Sequence, residues 1–183
     1  MPRSVPQAVL LVDGYNVVGT WPELKQARDC DGLEAARWKL IEALTNYSAF
    51  QGYETQVVFD AQYRDTCSSC EVVTQNLSVH YTDFGQTADT YIEKICASAR
   101  HEFTKLKQRV IVATSDRAQH LTVVGYGAEW MSAQQLAYDI EAIGSQMRRK
   151  QQSSKPSARR LLASSLDPVA QQRLAQLRMG RRP

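Results

Sequence analysis

The stretch Val9-Leu10-Leu11-Val12-Asp13-Gly14 decides the fold class of this 183-residue chain. Its four consecutive apolar side chains predict a strand that is buried on both faces, as the strands of a parallel sheet are. The run ends at an aspartate and a glycine, a pair that is typical of a turn. The same pattern returns at residues 56–59, which end at Asp60, and at residues 109–114, which lead to Asp116. We therefore predict three buried parallel strands, each followed by an aspartate.

Amphipathic helical patterns lie between these strands. Apolar side chains recur at three- and four-residue steps over residues 33–50 and, most clearly, over residues 87–104. Ser132 and Gln135 form a capping box that opens a helix reaching about residue 151. The shorter predicted elements are a weak strand at 77–81, a helix at 117–124, an edge strand at 128–131 and a long loop at 61–75. Strands that alternate with helices in this way predict an α/β fold with three layers and a mostly parallel central sheet.

Charge is distributed unevenly along the chain. Residues 1–147 carry 12 Lys and Arg against 18 Asp and Glu, a net charge of −6, whereas residues 148–183 carry ten against one, a net charge of +9. A basic tail on an acidic body favours a polyanionic partner, although a merely solvated tail would have the same composition. The predicted organisation is a leader at 1–7, an α/β domain at 8–150 and a basic segment at 151–183, which comprises a linker at 152–160 and a helix at 168–179.

Composition excludes several classes of protein. Hydrophobic residues make up 43% of the chain and charged residues 22%, which excludes a wholly disordered or collagen-like polymer. No apolar run approaches the roughly 18 residues that cross a membrane, and residues 9–12 are too few for the core of a signal peptide. Four cysteines are too few for a disulfide scaffold of this length. We expect a soluble, cytoplasmic protein with no membrane partner.

Carboxylates stand where the predicted parallel strands end. Asp13, Asp60 and Asp116 follow three of these strands, whose carboxyl ends share one edge of the sheet. Asp89 begins the helix after the weak strand and is expected at the same edge, with Glu93 one turn further along that helix. For any one aspartate, a role as a turn residue or a helix cap is the better explanation than a role in a shared site. It is much less probable that this explanation holds for all of them at once.

A divalent cation would hold such a group of carboxylates ionised, because they otherwise repel one another and raise each other's pKa. Oxygen ligands without His or Cys favour Mg²⁺ or Mn²⁺, and such ions serve phosphoryl chemistry. The predicted metal ligands are Asp13, Asp60, Asp89 and Asp116. Together with the basic tail, this predicts a nucleic acid as the phosphodiester substrate.

Polar, cationic and aromatic neighbours complete the predicted site. Asn16, Thr114 and Ser115 can orient the carboxylates or hold a phosphate. Four further residues are candidates to bind the nucleic acid, either by holding phosphates or by stacking on unpaired bases. They are Arg64, Arg117, Tyr15 and Trp21. The alternative for each is a solvated arginine or a packed ring.

Cys67 and Cys70 have the spacing of half a zinc site, with His80 as the best additional ligand. The set is incomplete. A redox switch in the loop and plain thiols therefore remain as alternatives.

Four motifs, in order, resemble the YacP-type NYN domain family of the PIN-like nuclease superfamily. They are LVDGYNVV at residues 11–18, FDA at 59–61, TADTYIE at 87–93 and VATSD at 112–116. The resemblance covers about residues 8–145 and implies a PIN-like fold. It also implies a metal-dependent endoribonuclease that associates with the ribosome and cleaves messenger RNA. The residues it assigns to the acidic site are Asp13, Asp89 and Asp116 with Asn16 as their polar partner, while Asp60 and Glu93 also match its motifs.

We therefore expect an endoribonuclease that leaves 5′-phosphate and 3′-hydroxyl ends. Basic residues beyond the sheet would hold RNA or the ribosome: Arg148, Arg149, Lys150, Arg159 and Arg160. One alternative is a non-catalytic RNA- or ribosome-binding module on the same fold. Another is a metal-dependent phosphatase, which is disfavoured because the chain has Asp13-Gly14-Tyr15 where an Asp-x-Asp pair would be needed.

Overall fold

A computed structural model describes residues 6–60, 69–106 and 109–154 of the chain, without the side chains of 99–106 and 151–154. Within these residues the chain forms six strands and six helices. In chain order they are β1 (Ala8–Asp13), α1 (Gly14–Thr20), α2 (Pro22–Asp31), α3 (Leu33–Gln51), β2 (Tyr53–Phe59), β3 (Ser69–Thr74), β4 (Leu77–Tyr81), α4 (Ala88–Leu106), β5 (Arg109–Ala113), α5 (Arg117–Gly125), β6 (Glu129–Met131) and α6 (Ala133–Ser154). The chain divides into two units, Met1–Gly144 and Ser145–Pro183.

The strands form one sheet in the order β3-β4-β2-β1-β5-β6. Its pairs are parallel except for β3, which runs antiparallel to β4. Strand β1 lies at the centre, with Asp13 opposite Val58 of β2 and Val12 opposite Ala113 of β5. Every residue of β1 is buried, which confirms the prediction of a mostly parallel sheet around an apolar first strand.

Helices cover both faces of this sheet. On one face, Ser48 of α3 donates a hydrogen bond to Thr55 of β2 over 2.7 Å. On the other face, Val58 joins an apolar cluster with Ile92 of α4 and Val123 of α5. Because alternate residues of a strand point to opposite faces, the contacts of Thr55 and Val58 place α3 and α4 on opposite sides of the sheet. The result is the predicted three-layer α/β architecture.

Local features of the sequence set the ends of several helices. Gly52 ends α3 in a left-handed conformation, with φ of 66°. The Thr87 hydroxyl accepts from the Thr90 N–H at 3.2 Å and so caps α4. Ser132 likewise accepts from the Gln135 N–H at 3.0 Å at the start of α6. The capping box predicted at Ser132 is therefore confirmed as the start of α6.

The structure corrects two predicted segments. The loop predicted at 61–75 contains strand β3, whose residues are mostly exposed, and an exposed edge strand lacks the apolar pattern that would predict it. The linker predicted from residue 152 is wrong for 152–154, since α6 continues to Ser154. The helix predicted at 168–179 lies outside the described residues. No helix in the described ranges is long and apolar enough to span a membrane.

Candidate active site at the carboxyl edge of the sheet

Asp13 is the buried centre of the candidate site. It is the last residue of β1, the central strand of the sheet, where it pairs with Val58 of β2, and it is only 8% exposed. One carboxylate oxygen accepts from the Asn16 N–H at 3.2 Å, which makes Asp13 the cap of helix α1. The aspartate predicted at this strand end therefore points into the protein rather than into a solvated turn.

Asp89, in the first turn of α4, meets Asp13 side chain to side chain. The two carboxyl groups lie within hydrogen-bonding reach of each other, and this contact favours the protonated form of Asp13. Two carboxyl groups can form a hydrogen bond only when one of them is protonated. The predicted convergence of these two residues, from the first strand and the fourth helix, is therefore present.

The acidic cluster changes the pKa of both members of this pair. Burial raises the pKa of Asp13 to about 7; the Asn16 N–H opposes the shift, and the charges of Asp89 and Asp60 add to it. Burial also raises the pKa of Asp89, and the charges of Asp116, Asp60 and Glu93 add to that shift. A proton held by one of two neighbouring carboxylates marks a place where a cation is favourable.

Asp60 and Asp116 stand at the starts of the two helices that flank the pair. Asp60 follows β2, and its side chain accepts a hydrogen bond from the backbone N–H of Ala88, the first residue of α4. Asp116 caps α5, accepting from the N–H groups of Ala118 at 2.7 Å and Gln119 at 3.1 Å. Both carboxylates therefore already have backbone partners, as carboxylates at helix N-termini often do.

The carboxylates do not form a ready three-ligand metal site. Among the residues that the structure describes, no three His, Cys, Asp or Glu side chains are arranged to hold a metal ion together. Charges act over longer distances than a metal coordination bond. Asp60 and Asp116 can therefore raise the pKa of the central pair without lying close enough to share a metal ion with it. The donor chemistry fits Mg²⁺ or Mn²⁺, since the contacting pair and its neighbours offer only oxygen.

Asn16, Thr114 and Ser115 bind the elements of the site to one another. The Asn16 side-chain carbonyl accepts from the Ser115 N–H at 2.7 Å, which links α1 to the segment between β5 and α5. The buried Thr114 hydroxyl accepts from the Asp116 N–H at 3.0 Å. Ser115 accepts from the Ala133 N–H at 3.2 Å. All three residues are thus placed to orient the acidic segments.

The two predicted base-stacking residues differ in their surroundings. Tyr15 is half-buried, and its ring centroid lies 5.0 Å from that of Phe59. Trp21 is only 5% exposed and donates from its indole N–H to the Ala133 carbonyl at 2.6 Å. A ring packed on both faces offers no surface to a base, so the prediction for Trp21 is wrong. Trp21 instead joins α2 to the start of α6.

Of the predicted cationic residues, Arg117 lies at the edge of the candidate site. It is exposed and directly follows Asp116 as the first residue of α5. Three others are exposed on the C-terminal turns of α6, in the second unit: Arg148, Arg149 and Lys150. Three predicted residues lie outside the described part of the chain: Arg64, Arg159 and Arg160. Glu93 is half-buried on α4, one turn beyond Asp89.

The cysteine motif is resolved in part. Cys70, on the edge strand β3, lies with its sulfur 3.6 Å from Nε2 of His80. Burial lowers the pKa of His80, which keeps the ring neutral at pH 7. Cys67 lies outside the described residues, and within them no third ligand joins this pair.

Two aromatic residues near the site were missed by the sequence reasoning. Phe59 is fully buried beside the turn that follows Asp13, and a Cβ atom on Gly14 would collide with its ring. Phe84, between β4 and α4, is 88% exposed. The continuous apolar run at 57–59 could have identified Phe59 as a packing partner for that glycine, whereas no pattern in the sequence predicts the exposure of Phe84.

The chain is similar in sequence to one family over most of its length. A model of the YacP-like NYN domain matches residues 10–179. YacP of Bacillus subtilis (strain 168) is 32% identical over 161 residues, which cover 86% of this chain and 91% of that protein.

Solved structures give the same relationship. The crystal structure of Rae1 (YacP) from Bacillus subtilis matches with a TM-score of 0.64 and 29% identity, covering 94% of this chain and 95% of that one. A single-residue mutant of the same protein matches with a TM-score of 0.67 and 28% identity, covering 93% and 99%. The sheet and helices described above therefore form the fold of these proteins.

Proposed function

This chain belongs to the YacP-like NYN domain family, whose fold is that of PIN-like nucleases, and from that premise we propose that it is a divalent-metal-dependent endoribonuclease. The observation that carries the proposal is the contact between Asp13 and Asp89. Two carboxyl groups from distant segments lie within hydrogen-bonding reach of each other at the carboxyl edge of a parallel sheet, where ligands of such folds bind. A structural role alone would not require a second carboxyl group beside the first.

Asp13 and Asp89 would hold Mg²⁺ or Mn²⁺ in place of the proton on Asp13, with Asp60 and Asp116 as further oxygen donors. Such a cation activates water and neutralises charge on a phosphate. Because Asp60 and Asp116 are engaged with backbone N–H groups, their oxygens would be shared with those groups or released from them. The cation would also relieve the burial of charge that raises the pKa of Asp13.

Other residues of the site would position the substrate and the acids. Asn16 and Thr114 fix the segments that carry Asp13 and Asp116 through the hydrogen bonds described above. Arg117, exposed beside Asp116, would hold a phosphate that flanks the scissile bond. Water would add to phosphorus and the 3′ oxygen would leave, so the products carry 5′-phosphate and 3′-hydroxyl ends.

The basic C-terminal region supports RNA as the substrate. Residues 148–183 have a net charge of +9, whereas the body that carries the acidic site is negative. Phosphate contacts made by Lys and Arg supply most of the sequence-independent affinity for nucleic acids. We include in the proposal that the substrate is messenger RNA on the ribosome and that the protein acts in the cytoplasm.

The test is cleavage of an end-labelled single-stranded RNA, free or bound to ribosomes, with Mg²⁺, with Mn²⁺ and with a chelator. The wild-type chain should cut RNA with metal and not with chelator. Asp13→Asn and Asp116→Asn should each abolish cutting, whereas Asp31→Asn, an exposed aspartate at the end of α2, should not. Full cleavage by either site variant would reject the proposed mechanism.

A second candidate is a non-catalytic RNA- or ribosome-binding module. One observation favours it, namely that no three ligating side chains in the described residues converge on one point. The same experiment separates the two candidates. RNA or ribosomes that are bound but never cut, with either metal, would identify the binding module.

A further inference from the structure

An exposed phenylalanine lies in the turn that precedes α4, the helix that carries Asp89. Phe84 is 88% exposed, more than any other large apolar residue in the described part of the chain. It lies between β4, which ends at Tyr81, and α4, which begins at Ala88 and carries Asp89 in its first turn. The carboxyl end of β4 and the start of α4 are at the same edge of the sheet as Asp13 and Asp60, so Phe84 is at this edge too.

The turn that carries Phe84 is held by hydrogen bonds on both sides. Residues 83–86 form a four-residue turn in which the Gln86 N–H donates to the Asp83 carbonyl at 2.9 Å. Gly85 supplies the positive φ, +83°, that the third position of a type II turn requires. Thr82, only 1% exposed, donates from its hydroxyl to the Gln86 carbonyl at 2.6 Å and from its N–H to Phe59 at 3.1 Å. The ring is therefore presented to solvent by an ordered turn.

From this placement we infer that Phe84 is the stacking platform for one unpaired base of the RNA, next to the phosphate that lies at the acidic pair. This inference rests on the proposed function. A phenyl ring stacks on any base, because every base has a π face, and so it adds affinity without reading sequence. That contribution suits a site whose carboxylates repel the phosphate backbone, since stacking does not depend on charge. The turn contributes one ring flanked by Asp83, Gly85 and Gln86, which is less apolar area than the core of a protein interface needs.

Binding of a labelled single-stranded RNA of about 12 nucleotides tests the inference, since such sites span about 4–16 nucleotides. The measurement uses the full-length chain carrying Asp13→Asn, so that the RNA is not cut. Adding Phe84→Ala should weaken binding by about 5-fold to 150-fold, the range for the loss of one stacked base. Phe84→Trp should keep the affinity, and Phe84→Leu, which keeps apolar area without an aromatic face, should not.

A matched control and an altered RNA make the readout specific. Phe50→Ala removes the same side chain from the end of α3, at the opposite edge of the sheet, and should leave binding unchanged. A set of RNAs, each lacking one base, should reveal one position at which the missing base weakens binding to the parent chain. In the Phe84→Ala chain, the loss of that same base should cost nothing further.

The outcomes distinguish this inference from the proposed function. If the parent chain binds RNA and Phe84→Ala binds it equally well, the stacking role is wrong and the nuclease proposal stands. The stacking role is also wrong if Phe84→Ala weakens binding but each base deletion lowers the affinity of this variant as much as it lowers that of the parent chain. If the Asp13→Asn parent does not bind RNA and the wild-type chain does not cut it, the proposed function fails and the inference fails with it.

Discussion

Replacing Asp13 by Asn should stabilise the metal-free protein, and the gain should grow with pH. Burial and neighbouring carboxylates raise the pKa of Asp13 from 3.8 to about 7, so the folded state binds a proton that the unfolded state has released. Stability falls with rising pH wherever the folded state holds more protons. The free energy of unfolding should therefore decline between pH 4 and pH 7 in the wild type, and asparagine removes this decline.

The magnitude follows from the size of the shift. One pKa unit corresponds to about 1.4 kcal/mol, so the full shift of this carboxyl group amounts to roughly 4 kcal/mol by pH 8. Asparagine keeps the acceptor for the Asn16 N–H, and its amide can donate to Asp89 where the proton now lies. At about 3 °C per kcal/mol for a protein of this size, the variant should melt roughly 10 °C above the wild type at pH 8 and close to it at pH 4.

The assay is thermal and denaturant unfolding of both proteins from pH 4 to pH 8 in chelator. Titrating groups that do not interact with Asp13 cancel in the difference between the two curves. Asp31→Asn, at an exposed position, should show no pH-dependent difference from the wild type. Adding Mn²⁺ at pH 8 should raise the melting temperature of the wild type and leave Asp13→Asn almost unchanged. Parallel curves for wild type and Asp13→Asn across this range would refute the argument that folded Asp13 holds a proton.

Three further substitutions test how the site is held together. Gly14→Ala should destabilise the protein by about 1–3 kcal/mol, because its Cβ would collide with the buried ring of Phe59; unfolding in urea measures this, and a neutral result would contradict the packing. Asn16→Ala should lower the free energy of unfolding by about 0.5–1.5 kcal/mol, because it removes the acceptor for the Ser115 N–H. Initial rates should show that it slows RNA cleavage more than Asn16→Asp does. Asp116→Ala should lower the free energy of unfolding by about 1 kcal/mol through loss of the α5 cap. Asp116→Asn should cut no RNA but melt at the wild-type temperature. Equal melting temperatures for the two variants would argue against the cap.

Local patterns predicted most of the elements. Strand β1 and helix α4 were located from apolar runs and helical periodicity, because a strand buried on two faces and a helix buried on one each impose their own spacing. Strand β3 was missed since an exposed edge strand imposes no such spacing. The positions of Asp13 and Asp89 at one edge followed from the topology of parallel strands, which does not require knowledge of any side-chain contact.

The sequence could not predict which side chains of the site are buried or which residues they contact. Trp21 lies close after the first motif, which is where a ring that binds a base is expected. Only the structure shows that the ring is buried and bonded to the start of α6. Phe84 is apolar and would ordinarily be expected inside, yet its turn holds it in solvent. Exposure depends on which distant segments cover a residue, and that information is absent from neighbouring residues.

The sequence by itself determined the α/β class, the parallel strands, the family and the acids at the strand ends, because apolar spacing and turn chemistry act between residues close in the chain. Only the tertiary structure decided that Asp13 is buried against Asp89 with a raised pKa, while Asp60 and Asp116 accept hydrogen bonds at helix starts. Whether a carboxylate is ionised depends on burial and on charges a few ångströms away. Those neighbours come from β2, α4 and α5, which meet only when the chain is folded.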